Sequence, residues 1–284
     1  YFIRKSAGLG KSPTKPDPDL YEHKYIHCDV LVIGGGISGI MAAKTAAENN
    51  YKTLLLDEKP HLGGTTIYQS SEFNKINNQY SSKWLENEIS KLKNIKNLEI
   101  KTRTSVAAYH GYNFLLAREN LTDHLPLNKK KDKIRQRLLK IRAKKVIAAT
   151  GSIERPLIFD NNDRPGIILS SAIKKYSDYY GVVCGKENIL FTNNDSAYET
   201  AISLFNKGIK INAIIDIREK VNSEITNHAE KIGIKIYNSY TIVDTSGYRR
   251  IKEVSIMKLS KDGQSVTGSK IKIKCNCLGI SGGW

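Results

Sequence analysis

The sequence predicts an α/β protein with two Rossmann-like units, each built on a parallel sheet. Residues 29–39 are an apolar run followed by a glycine-rich turn and the start of a helical pattern. Residues 145–151 are an apolar run that ends in Ala-Thr-Gly, and residues 188–217 repeat a strand–helix–strand pattern without the glycines. Strands that alternate with helices favour a doubly wound parallel sheet.

The glycines of the first turn, Gly34, Gly36 and Gly39, have the G-x-G-x-x-G spacing. The first lets the chain turn sharply out of a strand, the second lets a pyrophosphate approach the backbone, and the third lets the helix pack closely on the sheet. The helix that begins near Ile37 and Ser38 offers free N–H groups and a partial positive charge to phosphates. We therefore expect a bound dinucleotide; the alternative is a glycine turn without a ligand.

This turn lies within a complete strand–helix–strand unit. The pattern predicts a strand over 28–33, a helix over 38–49 and a second strand over 52–56. Asp57 closes the second strand about 20 residues after the glycines, where a carboxylate would bind the ribose hydroxyls. Glu58 is the alternative for that role, because a sequence pattern places the end of a strand only to within a residue or two.

Two short stretches are predicted to lie close to a bound ligand. Gly63-Gly64-Thr65 follows the second strand, and a double glycine lets the backbone pass close to a ligand. A plain turn is the alternative there. Ala149-Thr150-Gly151 ends the apolar run that begins at Lys145. Small residues at the carboxyl end of a strand leave room for a ligand.

Between these stretches the sequence predicts a core helix and a small β-meander. The helix covers residues 81–93, and a basic loop at 128–133 interrupts the meander. The expected strands are 98–102, 105–109, 113–118 and 137–142.

The second unit is expected to have the nucleotide-binding architecture with an impaired site. Its first strand is followed by Asn193-Asn194-Asp195-Ser196 where the first unit has glycines, and its second strand carries Asp216. Asn and Asp side chains would crowd a pyrophosphate at that turn, and Asp195 would repel it.

The predicted domain organisation has three parts. Residues 1–27, with three prolines, form an extended connector. Residues 28–153 together with 271–284 form the first domain, and residues 154–270 form the second domain as an insertion. We also expect the chain to be a segment of a longer protein, since it lacks an initiator Met and its final glycines suggest an interrupted module.

Charge is the unusual bulk property, because 45 basic and 28 acidic residues give a net charge of +17. Nucleic acid or a membrane surface would suit such a charge. The basic residues are spread along the chain without an aromatic-interleaved motif, which favours a lysine-rich composition bias. We therefore expect no nucleic acid and no membrane partner, with a basic binding module as the alternative from another functional class.

Four cysteines form neither a C-x-x-C pair nor a metal-ligand spacing. This pattern favours a reducing, cytoplasmic location and predicts no metal site. Cys275 and Cys277 are expected to lie buried on one face of a strand. No paired carboxylate or nucleophile accompanies the histidines, so we assign no catalytic residue.

The motifs, in this order, resemble the two-dinucleotide-binding-domain flavoproteins, with the FAD/NAD(P)-binding Rossmann-like fold of the pyridine nucleotide-disulfide oxidoreductase type. More narrowly, they resemble the alpha-subunit family of heterotetrameric sarcosine oxidases. The matching phrases lie at residues 7–10, 16–19, 27–32, 122–125, 142–144, 149–151, 153–157, 161–166, 191–198 and 281–284.

The resemblance implies a subunit of an enzyme that oxidatively demethylates sarcosine to glycine, with hydrogen peroxide as a product and transfer of the one-carbon unit to tetrahydrofolate. It implies NAD in a structural role at the first glycine turn, with FAD as the alternative. It also implies beta and smaller partner subunits, FMN and FAD on or at the interface with a partner, and a tetrahydrofolate region beyond this segment. The segment alone is not expected to be catalytically competent.

Carried over by position, the resemblance assigns Val106 to the segment whose backbone meets the adenine. A self-sufficient NAD(P)H-dependent flavoprotein with FAD at the first site remains the alternative function. The C-x-x-C pair of the thioredoxin-reductase-like relatives has no counterpart in this sequence.

Overall fold

The structure is a computed structural model that describes residues 2–8, 10, 12–68, 73–130 and 132–284. Residues 1, 9 and 11 of the predicted connector and residue 131 of the predicted basic loop lie outside the described residues. The chain divides into two compact units. The first contains Tyr1–Gly64 and Ile89–Thr150, and the second contains Thr65–Glu88 and Gly151–Trp284.

The described residues form six α-helices and sixteen strands. The helices are α1 (Phe2–Ser6), α2 (Ile37–Glu48), α3 (Ser81–Leu92), α4 (Ser170–Tyr180), α5 (Ser196–Asn206) and α6 (Glu224–Lys231). The strands are β1 (Leu20–Ile33), β2 (Thr53–Leu56), β3 (Lys75–Ile76), β4 (Gln79–Tyr80), β5 (Leu98–Lys101), β6 (Thr104–His110), β7 (Phe114–Asn120), β8 (Ile134–Ala148), β9 (Ile167–Leu169), β10 (Glu187–Thr192), β11 (Lys210–Asp216), β12 (Ile236–Asn238), β13 (Tyr240–Ser246), β14 (Glu253–Leu259), β15 (Val266–Lys274) and β16 (Cys277–Ser281).

The first unit is built on a six-stranded sheet in the order β5-β2-β1-β8-β7-β6. The strands β5, β2, β1 and β8 are parallel, whereas β7 and β6 continue the sheet as an antiparallel meander. The long strands β1 and β8 pair from Leu20 to Ile33 and so belong to both parts. Leu31, Leu139 and Ile141 are fully buried and form part of one core.

Three expectations for this unit are corrected by the pairing. The predicted strand 98–102 is β5, which lies beside β2 at the parallel edge rather than in the meander. The piece 137–142 and residues 145–148 of the next piece belong to the single strand β8, which pairs with β1 from Ile134 to Ala148. The predicted connector 1–27 includes the first eight residues of β1, from Leu20 to His27, as well as α1.

The second unit is built on a parallel sheet in the order β12-β11-β10-β16-β9. An antiparallel sheet, β13-β14-β15, packs its buried residues Ile242, Val254 and Ile256 into one core with Ile189 and Ile215 of the parallel sheet. The hairpin β3-β4 also belongs to this unit.

The domain boundaries differ from the predicted ones at two places. Residues 271–284 do not return to the first unit, because β16 pairs with β10 and β9 in the middle of the second sheet. Residues 65–88 belong to the second unit as well. There Phe73 packs against the core that contains Tyr198, and the side-chain amide of Asn74 donates to Glu199 at 2.9 Å.

The cysteines Cys275 and Cys277 are both buried, as predicted, but they do not lie on one strand face. Cys275 lies between β15 and β16 and packs into the core that contains Ile189, whereas Cys277 packs against Ile173 of α4. The chain passes from one sheet to the other between them. Burial raises the pKa of both thiols to about 12.

Among the described residues, no helix is both long enough and apolar enough to cross a membrane.

The core of the first unit can be tested with matched isoleucine truncations. Ile141→Ala should lower the free energy of unfolding by about 3 kcal/mol, because it leaves a cavity beside Leu139. Ile153→Ala is the control, since Ile153 is 82% exposed. Urea titration followed by far-UV circular dichroism would measure both variants. Equal midpoints for the two variants would contradict this account of the core.

Candidate functional site

The glycine turn joins β1 to α2 under two tight packing constraints. Gly34 has a φ of +103°, and a Cβ there would overlap the carbonyl oxygen of Ala149. A Cβ on Gly39 would overlap the carbonyl oxygen of Gly34. These two glycines therefore allow the end of β1, the end of β8 and the first turn of α2 to approach one another.

Gly36 has a different environment, because a Cβ at this position would have no heavy atom within 4 Å. Its backbone is extended, with φ −72° and ψ −176°, and it caps α2 without a side-chain hydrogen bond. The first turn of α2 contains no acidic residue. Because the first N–H groups of a helix have no acceptor within the helix, those of Ile37, Ser38 and Gly39 form an open cradle suited to an anion.

The second predicted glycine motif lies directly against this cradle. The N–H of Gly63 donates to the carbonyl oxygen of Gly35 at 2.7 Å. Gly64 has a φ of +57°, and a Cβ on it would lie 3.1 Å from the Cα of Gly36. The structure therefore brings the Gly63-Gly64 turn against the turn of the G-x-G-x-x-G motif.

The two candidate ribose carboxylates have opposite environments. Asp57 is 7% exposed, and its carboxylate accepts the N–H of Gly35 at 2.5 Å and the N–H of Lys59 at 2.7 Å. Glu58 is exposed. Asp57 is thus engaged in holding the turn, whereas Glu58 remains accessible to a ligand. The sequence feature that indicates this role of Asp57 is the additional glycine, Gly35. A Cβ built on Gly35 would lie 2.8 Å from the carboxylate of Asp57.

The other predicted site residues of the first unit lie around the same strand ends. The N–H of Ala149 donates to Ile33 at 2.8 Å, and Thr150 follows directly. Val106 lies two residues after Thr104, whose N–H donates to the carbonyl oxygen of Asp57 at 2.8 Å. Its side chain packs against the first core, which leaves only its backbone for a ligand.

Thr65 and Gly151 are the predicted site residues that belong to the second unit. Thr65 lies in the 3₁₀ helix Gly64–Ile67, and Gly151 is exposed with a φ of +74°. They directly follow Gly64 and Thr150 in the chain.

The corresponding turn of the second unit is filled by its own side chains. The side-chain carbonyl of Asn194 accepts the N–H of Ser196 at 3.0 Å, at the start of α5. Its amide donates to the hydroxyl of Ser281 at 2.9 Å, and the amide of Asn193 donates to the carbonyl oxygen of Gly282 at 3.3 Å. The helix N–H group that a phosphate would bind already has an acceptor.

The strand-end carboxylate of the second unit is also engaged. Asp216 is fully buried; it accepts the hydroxyl of Tyr198 at 2.8 Å and forms an ion pair with Arg218 at 2.7 Å. Arg218 also pairs with Asp195 at 2.9 Å. The carboxylate of Asp216 raises the pKa of Arg218, and burial raises that of Tyr198. Arg218 was not predicted as a functional residue. The sequence feature that could have indicated it is a cation two residues after the acid at the end of the strand.

A separate open groove of about 720 Å³ lies beside α2 in the first unit. Its walls are mainly apolar, from Met41, Ala42, Ala46 and Ile147, with Lys144 and Asp29 at one side. None of the residues that form the open cradle at the start of α2 lines this groove.

Comparison with known proteins agrees with the geometry of the first unit. Residues 29–151, which contain the glycine turn, match the family described as FAD dependent oxidoreductase. In the part of the chain that the structure describes, no group of His, Cys, Asp and Glu residues is arranged to hold a metal ion.

Two curated relatives extend the match beyond this oxidoreductase domain. The chain is 32% identical to sarcosine oxidase subunit alpha of Corynebacterium sp. (strain P-1), over 98% of this chain and 28% of that protein. It is 31% identical to sarcosine oxidase subunit alpha of Rhizobium meliloti (strain 1021), over 99% of this chain and 27% of that protein. The resemblance predicted from the motifs is therefore confirmed, and the chain spans little more than a quarter of these relatives.

A solved structure confirms the predicted fold class. Thioredoxin reductase from Lactococcus lactis matches with a TM-score of 0.64 and 20% identity, over 90% of this chain and 77% of that chain. At this level of identity the likeness concerns the fold alone, namely two Rossmann-like units of the α/β class.

Alanine substitutions at Gly36 and Gly39 should distinguish a glycine that leaves room for a ligand from a glycine that the packing of the fold requires. Gly39→Ala should lower the free energy of unfolding by about 3 kcal/mol, because the new methyl group overlaps Gly34. Gly36→Ala should change the free energy of unfolding by less than about 1 kcal/mol, because its backbone is extended and its surroundings are open. Chemical denaturation of both variants tests this difference, and a larger loss at Gly36 would contradict it.

Proposed function

We propose that this chain is the dinucleotide-binding part of the alpha subunit of a multisubunit sarcosine oxidase. Such an enzyme would convert sarcosine to glycine by oxidative demethylation, produce hydrogen peroxide and pass the one-carbon unit to tetrahydrofolate. The observation that carries the proposal is the open cradle formed by Gly36, Gly64 and the start of α2. The similarity to the two alpha subunits over almost the whole chain supports the choice of enzyme.

The cradle fits the ADP half of a dinucleotide. The N–H groups at the start of α2 would bind the pyrophosphate, since Gly36 adds no side chain at the point of approach. Glu58 would accept the ribose hydroxyls, because the carboxylate of Asp57 is already engaged by two N–H groups. The backbone near Val106 would lie against the adenine.

We propose NAD in a structural role at this site, with FAD as the alternative. Both share the ADP half, so the cradle accepts either one. The structural role is supported by the cysteines, all four of which are free and three of which are buried. Burial raises the pKa of their thiols, so they are poor nucleophiles and do not form a redox pair. The FAD-dependent oxidoreductase match supports the alternative.

We propose that oxidation of the amine substrate requires partner subunits. The curated relatives are named as subunits, and we propose beta and smaller subunits as partners, with FMN and FAD on or at the interface. Tetrahydrofolate would bind a region outside this segment. A cytoplasmic location suits the four free thiols.

A self-sufficient NAD(P)H-dependent flavoprotein is the second candidate function. It needs a nicotinamide nucleotide at the second unit as well as a flavin at the first. Asn194 and Arg218 argue against it, because they engage the helix start and the strand-end carboxylate of that unit internally. If a flavin occupies the first unit, the electrons that reduce it would therefore have to come from a reaction on a partner chain.

The identity and position of the nucleotide can be tested together. Mass spectrometry of small molecules released from the purified chain should detect NAD or FAD, and recovery of neither would contradict the proposal. Glu58→Gln should weaken binding of the released nucleotide by about tenfold in calorimetry, because it removes a charged acceptor for the ribose hydroxyls.

Asp57→Asn is the matched control for this substitution. It should lower the free energy of unfolding by about 2 kcal/mol, because an amide cannot accept both N–H groups that now bind the carboxylate. If Asp57→Asn instead weakens nucleotide binding with unchanged stability, the ribose role belongs to Asp57.

The second candidate function predicts that NADH reduces a flavin bound to this chain. Our proposal predicts no such reduction under anaerobic conditions, and one nucleotide per chain at saturation. Flavin bleaching by NADH, measured by absorbance at a rate proportional to the protein concentration, would reverse the ranking of the two functions.

A further inference from the structure

We propose that the outward face of the meander in the first unit is a docking surface for an acidic, partly apolar protein segment. This surface, called here the cationic face, consists of outward residues of β1, β8, β7 and β6 in three cross-strand rows. It lies apart from the glycine cradle, and its function does not depend on the identity of the nucleotide.

The strand register places the residues of the cationic face side by side. One row contains His27, Arg142, Phe114 and His110, each opposite the next on a neighbouring strand. The adjacent row contains Tyr25, Lys140 and Leu116. The third row contains His23, Leu138 and Arg118. The alternation of β1 places its residues 21, 23, 25 and 27 towards solvent.

The charge of this face is not compensated by carboxylates in the described part of the chain. Among the described residues, Arg118, Lys140 and Arg142 have no carboxylate within ion-pair distance, and the three rows contain no Asp or Glu. Several other cations of the same sheet are paired. Arg137 contacts both Glu22 and Glu119, and Lys101 contacts Glu119 at 3.0 Å. The absence of acids from the cationic face therefore suits carboxylates supplied by a partner.

The composition of the face is typical of a protein interface rather than of a solvated sheet surface. Tyr25 is 68% exposed, and Phe114, Leu116 and Leu138 are partly buried between the cations. Aromatic residues and arginine are enriched in interface centres. A partner segment that carries apolar side chains between its acids would match this alternation.

The position of the cations favours an acidic protein over a nucleic acid. Lys140 lies over the ring of Tyr25, with its Nζ 5.0 Å from the ring centroid, and the guanidinium of Arg142 lies 4.9 Å from that of Phe114. A base that stacks on Tyr25 or Phe114 would compete for the rings that these cations already contact. Carboxylates would pair with the cations and leave the cation–ring contacts in place.

The test uses the complete 284-residue chain and a fluorescein-labelled peptide in which Glu alternates with Leu and Tyr. Binding is measured by fluorescence anisotropy at an ionic strength of about 0.15 M. The double substitution Lys140→Glu and Arg142→Glu should weaken binding by at least about tenfold. The matched control is Lys258→Glu with Lys270→Glu, two exposed lysines of the second unit, which should change binding by less than about twofold.

Four results would overturn the proposal. The first is no saturable binding of the peptide to the unmodified chain. The second is an equal loss in both double variants, which would show a response to net charge alone. The third is undiminished binding of the same peptide when Gln replaces every Glu. The fourth is tighter binding of a single-stranded RNA that is lost in the Lys140 and Arg142 variant, which would assign the face to nucleic acid. Circular dichroism of both variants verifies that each is folded.

Discussion

The arrangement of the first unit depends on close backbone contact between Gly34, Gly39 and Ala149. Any side chain at either glycine would overlap a carbonyl oxygen, so β1, α2 and β8 can meet only because both residues lack a Cβ. This contact places the first turn of α2 at the carboxyl ends of the parallel strands. A ligand site in a parallel sheet lies at these ends because helix N-termini and strand-end side chains converge there.

The same contact explains why two acidic neighbours have different roles. Gly35 lies between the constrained glycines, and its N–H donates to the buried carboxylate of Asp57. That bond ties the turn to the end of β2, so the position that the sequence motif assigns to a ligand is occupied by a structural bond. The exposed carboxylate is Glu58, one residue further along the chain. A one-residue difference at the end of a strand thus decides which of the two carboxylates is exposed.

Local features of this chain were predictable from its sequence, whereas pairings between distant segments were not. The glycine spacing, the apolar strands and the Asn-Asn-Asp turn each depend on adjacent residues, and each lies where it was expected. The first half of β1 was missed because its Tyr, His and Lys residues resemble a solvated connector until β8 supplies a partner. The prediction that residues 271–284 belong to the first unit was wrong for a similar reason. Its buried apolar residues suit either sheet, and only the pairing with β10 decides between them.

The two units show that one backbone architecture can have opposite ligand capacity. Both have a parallel strand, a turn, a helix N-terminus and an acid at the next strand end. In the first unit the cradle has no side chain, and the accessible acid has no bond to the turn. In the second unit the side chain of Asn194 accepts the N–H at the helix start, and Arg218 forms ion pairs with both Asp195 and Asp216. A nucleotide would have to break these bonds and leave Asp216 buried without a cation, which costs several kcal/mol. The second unit therefore has the backbone architecture of the first, with its helix start and its strand-end carboxylate occupied by its own side chains.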